Sequence, residues 1–266
     1  MINNKKLALV LSGGASLGFA HVGVLKLLEE NGIKPDIITG TSAGALIGGA
    51  YAMGMPVDEI ENNILEFHRN KIIDIKFVPF LGDSVLISKK IDKYLNNVFK
   101  DFKIEDSKLK FVATAVDLDK GKLKYFKRGL MWQAVRASIS VPGVFTPFTI
   151  GNNKYIDGGI MDNLPTSIAK DLGADIVIAV NVLDYENALL EPKTLIHSLF
   201  NALTLSQKEI VRIKTRADFI LNIKLKDVGL FSFKREESIR SIKEGYLQAK
   251  RKLKDIKNLL EDTKNN

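Results

Sequence analysis

Ser42 is the residue whose surroundings best suit covalent chemistry. It sits in Gly40-Thr41-Ser42-Ala43-Gly44, a G-x-S-x-G pattern, between the β-branched run "DIITG" and the small helix formers of "AGALIGGAYAMG". A sharp strand-to-helix turn at this point exposes the hydroxyl, and glycine on either side avoids the Cβ clashes of so tight a bend. The helix that follows directs its first amides and positive dipole end toward negative charge developing near Ser42. A free serine hydroxyl is a poor nucleophile, so a base must lie close to it in space.

The chain offers three histidines, His21, His68 and His197. The order Ser42, Asp157, His197 would fit an α/β-hydrolase triad, but several strands precede the nucleophile in that fold and only two precede it here. His21 and His68 fall within helical patterns, where a non-catalytic histidine is the usual case. Asp157 is the better partner. It ends the strand-like "KYI" and is followed by Gly158 and Gly159, which leave room for another loop to reach its carboxylate. An aspartate of ordinary pKa is a weak base, so the pairing predicts a partly desolvated site. Asp162 is the fallback.

Acyl transfer also needs donors for an oxyanion. "SGGASLG" at 12 to 18 lies between the first strand and the first helix, where successive backbone N–H groups can form an anion-binding nest at Gly13, Gly14 and Ala15. A nucleotide-binding module is the competing reading of this loop. A dinucleotide fingerprint would want glycine where Ala15 stands, and the lysine and Ser/Thr of a phosphate-binding P-loop are missing.

The elements that must hold these residues follow from periodicity. "KLALVL" (6 to 11) predicts a strand, the apolar positions from Phe19 to Leu28 a helix, "DIITG" a second strand and residues from Ala43 a second helix. This β-α-β-α opening predicts an α/β fold with a mostly parallel central sheet flanked by helices. Pro56 opens a helix through "VDEIENNILEFHRN", and Ser88 is expected to cap another through "KKIDKYLNNVF". "KLKFVATAVDL" and "GKLKYFK" predict strands joined through Asp119, Lys120 and Gly121, and "LMWQAVRASI" a helix. "ADIVIAVNVLD" predicts a buried strand, about Leu195 to Thr215 a long helix, and "DFILNIKL" a strand. A terminal helical extension over about 235–262 carries an apolar stripe at Ile239, Ile242, Tyr246, Ala249, Leu253, Ile256 and Leu260, expected to dock on the body of one domain spanning 1–266.

Composition bounds the function. The chain has 266 residues, 45% of them hydrophobic and 26% charged, an ordinary globular balance. Without cysteine it has neither disulfides nor thiolate metal sites. Half of the net charge of +8 lies in the last 33 residues, with ten Lys or Arg against six Asp or Glu, and no aromatic–arginine interleaving points to nucleic acid. No apolar run reaches the roughly 18 residues of a membrane span, and residues 1 to 11 are too short for a signal peptide. The expected setting is cytoplasmic, with peripheral contact at the inner membrane surface. "FVPFLG" (77 to 82) is a candidate for that contact or for lining an apolar channel, through Phe77, Phe80 and Leu81.

"LSGGASLGFAHVGVLKLLEENG", "GTSAG" and "YIDGGIMDNLP", in this order and with "VRASISVPGVFTPF" between the last two, resemble the patatin-like phospholipase family from about Leu7 to Val182. The resemblance implies a three-layer patatin-like fold and a lipid acyl hydrolase acting on a phospholipid or other lipid ester. It implies Ser42 as nucleophile, Asp157 as general base, amides around Gly13, Gly14 and Ala15 as oxyanion hole, and no metal or cofactor. One departure stands out: the family's glycine-rich loop usually carries Arg or Lys before its last glycine, and this chain has Leu17. That departure motivates the alternative of a catalytically weak lipid-binding protein of the same fold.

Overall fold

The structure is a computed structural model that describes residues 5–69, 81–183, 189–191, 193 and 195–262. The run "LALVL" forms β1 (Leu7–Leu11), buried along its whole length. Its side chains alternate between two apolar clusters: Leu7, Leu9 and Leu11 belong to one, Ala8 and Val10 to the other. A strand buried on both faces needs helices on both sides, which produces three layers.

A turn of 3-10 helix (Ala15–Phe19) leads into α1 (Ala20–Glu30), then β2 (Ile37–Thr41) and α2 (Ala43–Ala52). After α3 (Val57–Arg69) and α4 (Leu81–Phe99) come β3 (Lys110–Asp117), β4 (Lys122–Phe126), α5 (Met131–Ser138), β5 (Phe148–Ile150) and β6 (Asn153–Asp157). The chain continues through α6 (Thr166–Asp171), β7 (Ile176–Asn181), α7 (Leu195–Lys214), β8 (Phe219–Asn222), α8 (Arg235–Arg251) and α9 (Leu253–Asp262). Strands β3, β2, β1, β7 and β8 pair in that order and all run parallel. β4 and β6 add to β3 antiparallel, and β5 to β6.

The register on β3 positions the site. β4 pairs with residues 113–117, so it takes one edge of β3 for itself. The other edge is shared: β2 pairs with 110–114, ending at Thr41 opposite Thr114, and β6 pairs with 115–117, ending at Asp157 opposite Ala115. Two strands of opposite direction therefore meet end to end on one edge, and the residues at their tips are brought together.

Two expectations are corrected. Ser88 does not cap a helix, because α4 begins seven residues earlier; its buried hydroxyl accepts the Thr146 N–H at 3.2 Å, tying α4 to the segment before β5. The terminal helix breaks at Lys252, and the bend leaves Ile256 and Leu260 of α9 buried. α8 docks on the body of the domain, as its apolar stripe predicts. It crosses α1 so closely that a Cβ on Gly23 would overlap the Ile242 carbonyl and a Cβ on Gly245 the Ala20 carbonyl. From the apolar stripe Ile242 and Ala249 are buried, while Ile239 stays exposed. Phe77 and Phe80 lie outside the described residues, and no described helix is long and apolar enough to cross a membrane.

Candidate active site

Ser42 occupies the turn between β2 and α2 with φ 53° and ψ −122°, a backbone region that L residues adopt at a cost of about 1–3 kcal/mol. The flanking glycines permit it. A Cβ on Gly40 would press on the Gly44 backbone, and one on Gly44 on the Leu11 and Ser12 carbonyls. The Ser42 N–H donates to Ser138 Oγ at 2.8 Å, and the Ser138 hydroxyl donates to the Thr114 carbonyl at 2.6 Å. That relay fixes the elbow against β3.

Asp157 is 5% exposed, and its N–H donates to the Ser140 carbonyl at 3.0 Å. Oδ1 accepts the Gly159 N–H at 2.7 Å, while Oδ2 is buried without a hydrogen bond of full geometry. Burial pushes the carboxyl up to about 6, against the nearby Ser42 hydroxyl and the Gly159 N–H, which both favour the ionised form. A carboxylate poised near neutrality, with one oxygen uncommitted and a serine hydroxyl beside it, is chemically able to take a proton.

The glycine loop needs one correction. The Gly13 N–H donates to the Asn163 carbonyl at 3.1 Å and is spent. Gly13 serves close packing instead, since a Cβ there would overlap Asn163 Oδ1 and lie 3.1 Å from Ser42 Cβ. Among the described residues the Gly14 and Ala15 N–H groups find no acceptor, and both residues line a cavity with Ser42 and Asp157. The loop is anchored from behind. Ser16 donates its N–H to the Leu230 carbonyl at 3.2 Å and its hydroxyl to the Gly229 and Leu230 carbonyls at 2.8 and 2.9 Å. Leu17, the departure from the family pattern, is packed in the core.

The other candidates have different occupations. Asp162 accepts a hydrogen bond from the Tyr125 hydroxyl at 3.3 Å; burial raises its pKa, and Lys214 and Tyr125 oppose the rise. His21 is buried with Nε2 2.9 Å from the Ser12 carbonyl, and burial lowers its pKa to about 4, so it is neutral and supports the loop from below. His197 Nδ1 pairs with the Glu191 carbonyl, and the residue lines neither cavity at Ser42. The His68 side chain lies outside the described residues.

Residues 136 to 140, quoted from the sequence only as part of "VRASISVPGVFTPF" and given no role there, hold both halves of the site. Ser138 secures Ser42 and the Ser140 carbonyl secures Asp157. Arg136, 1% exposed, ion-pairs with Asp92, donates to Ser140 Oγ at 2.6 Å and lies over the Phe145 and Phe148 rings. Alternating polar residues in "VRASISVP" were the available signal. Ser138→Ala would strand the Ser42 N–H and the Thr114 carbonyl, at a cost of about 1–3 kcal/mol in stability. We expect chemical denaturation to read that loss and kcat to fall more than KM rises.

Two cavities meet at Ser42. One, of ≈ 700 Å³, is lined almost wholly by apolar groups, including Phe19, Leu46, Ile91, Val144, Phe145 and Phe233. The other, of ≈ 540 Å³, is mixed, with Asp157, Asn163 and Gln207 among apolar groups that include Ile160, Leu183 and Phe200. Ala15, Ser42, Val141 and Phe231 border both. An ester carbonyl at Ser42 would thus have an almost wholly apolar space on one side and a mixed one, with its polar groups near Asp157, on the other.

Residues 9–170 match the patatin-like phospholipase family. Lysophospholipase nte1 of Emericella nidulans is 35% identical over 181 residues, covering 67% of this chain and 12% of that protein. Patatin-like phospholipase domain-containing protein 6 of Mus musculus is 31% identical over 190 residues, 68% of this chain and 14% of that protein. This chain therefore spans about an eighth of the length of these relatives. The crystal structure of VipD from Legionella pneumophila shares the fold, with a TM-score of 0.56 at 17% identity over 94% of this chain and 67% of that one. With more than half of its length matched, from β1 into α6, the chain belongs to the patatin-like phospholipase family.

Proposed function

We propose that the chain is a single-domain hydrolase of carboxylic esters in single-chain lipids, with Ser42 as nucleophile and Asp157 as general base. The observation that carries this reading is the strained Ser42 turn set beside a desolvated carboxylate with a free oxygen, at the junction of an apolar and a mixed cavity. In the first half-reaction the Ser42 hydroxyl passes its proton to Asp157 Oδ2 as Oγ bonds to the ester carbonyl carbon. The carbonyl oxygen takes the electron pair and is held by the Gly14 and Ala15 N–H groups, with the α2 dipole adding to the field. Collapse breaks the ester C–O bond, and the departing alcohol takes the proton from Asp157. Water then repeats the sequence on the acyl-serine and regenerates Ser42.

The apolar cavity at Ser42 has room for an acyl chain, and the relatives named as lysophospholipases support substrates with one such chain. A fluorophosphonate probe read by intact mass tests the nucleophile. Wild type gains one adduct and Ser42→Ala none; labelling that persists in the variant moves the chemistry to another residue.

A further inference from the structure

The departing alcohol has to lie on the Asp157 side of Ser42. Asp157 hands its proton to the leaving oxygen in the mechanism above, and it lines the mixed cavity but not the apolar one. With the acyl chain in the apolar space, the alcohol occupies the mixed one. Two polar side chains of α7 reach this cavity, Thr204 and Gln207, three positions apart and so on one face of the helix. Neither is committed elsewhere. Thr204 is 5% exposed, and its hydroxyl has no hydrogen-bond partner among the described residues. A helical threonine can bond the carbonyl four positions back, as Thr215 at the end of α7 does to Val211 at 2.6 Å, but Thr204 does not. The Gln207 amide is likewise without a partner among the described residues. Polar groups held in this way at a cavity wall are satisfied by what enters the cavity.

Gln207 also stands beside the reacting groups. A Cβ on Gly159 would lie 2.9 Å from Gln207 Nε2, 2.9 Å from Asn163 Oδ1 and 3.0 Å from Asp157 Oδ1, so three side-chain ends converge around one point. Asp157 Oδ1 already accepts the Gly159 N–H, and the Asn163 amide nitrogen donates to the Gly13 carbonyl at 3.4 Å. The α7 pair is left for the substrate. A hydroxyl and an amide each carry both donor and acceptor, which matches an alcohol O–H, whereas an acylated oxygen only accepts. Among the described residues no Lys or Arg lines this cavity, which suits an uncharged group at this point. We infer that Thr204 and Gln207 bind a free hydroxyl on the carbon adjacent to the one that bears the ester oxygen, and so select esters in which that hydroxyl is not acylated. The inference rests on the lipid ester reading above and deepens it, since monoacyl glycerides and lysophospholipids both carry such a hydroxyl. α7 lies beyond residues 9–170, so this selectivity comes from outside the stretch that matches the family.

Three octanoyl esters test this on the full chain, with kcat/KM measured for each: octanoylglycerol, the octanoyl ester of a propanediol that lacks only the adjacent hydroxyl, and octanoyl lysophosphatidylcholine. Wild type should favour octanoylglycerol over the propanediol ester about tenfold, as expected of two hydrogen bonds. Thr204→Val/Gln207→Met should bring that ratio to within about twofold of one, while Thr204→Ser, which keeps the hydroxyl, should hold it near the wild-type value. Both substrates meet the same protein, so a loss of folded enzyme cannot move the ratio. A preference confined to octanoylglycerol assigns the hydroxyl to an uncharged glyceride, and an equal preference for octanoyl lysophosphatidylcholine over the propanediol ester extends it to lysophospholipids; either supports the subsite. A wild-type ratio near one overturns the inference, as does a ratio that the double variant leaves unchanged. Fluorophosphonate labelling of Ser42 tells two failures apart. With labelling intact the subsite alone falls, and without it the ester hydrolase reading falls too.

Discussion

Asp157→Asn is expected to lower kcat/KM about 10³-fold or more while making the folded chain more stable at alkaline pH. The amide keeps an oxygen for the Gly159 N–H but cannot take the Ser42 proton. Its effect on stability follows from where the carboxyl titrates. Burial raises the native pKa from 3.8 to about 6, whereas the unfolded chain ionises at the ordinary value. Between those values the native state holds a proton the unfolded state has lost, so Asp157 favours folding most at low pH. That contribution is lost as pH rises through about 6, and above it the native state carries an expensive buried charge. A displacement of about two units corresponds to at most about 3 kcal/mol. Denaturant titrations at pH 4 and pH 8 should show wild type and variant nearly equal in acid and the variant ahead in base. In wild type, kcat/KM should fall as pH drops below about 6, because the protonated carboxyl no longer accepts. Equal stabilities at pH 8 would mean the carboxylate is solvated, and the dyad would lose its physical basis.

Gly245→Ala, like Gly23→Ala across the same crossing, is expected to be strongly destabilising for a single-methyl change outside the site, at about 3 kcal/mol or more. The added carbon would meet the Ala20 carbonyl of α1, a backbone atom that no rotamer change can move. The helices would have to separate, and the damage would travel. The segment entering α8 supplies the Gly229 and Leu230 carbonyls that hold Ser16, and it carries Phe231 and Phe233 into the apolar cavity. Phe233 also packs edge-to-face on Phe19 at 6.0 Å. Thermal melting should show a large drop for Gly245→Ala and almost none for Ile239→Ala, which alters an exposed position of the same helix. Equal melting of the two would mean that the close crossing of α1 and α8 contributes little to stability.

The parts legible in the sequence were those written in local spacing. The β-branched run, the glycine-flanked serine and the small residues after it specify strand, turn and helix within thirteen positions, and α2 starts at Ala43 as expected. β1, β7 and the long α7 were equally plain, since each repeats one periodicity without interruption. What escaped depended on partners distant in the chain. Ser88 has the composition of a cap but lies mid-helix, because residues from Leu81 onward also coil and its hydroxyl is claimed by Thr146. The Gly13 N–H looks available until Asn163, 150 positions away, takes it. Ser138 and Ser140 read as ordinary polar residues until the elbow and the tip of β6 come to rest on them.

The end-to-end meeting of β2 and β6 along β3 has an evolutionary consequence. The spacing of Ser42 and Asp157 is metered by consecutive rungs of one hydrogen-bonded ladder, at Thr114 and Ala115, and not by the long stretch of chain between them. Insertions or deletions in the intervening loops can accumulate without altering that measure, provided β3 keeps its pairing. A scaffold of this kind tolerates wholesale remodelling of its periphery, and with it of what it admits, while the reacting pair stays in gauge.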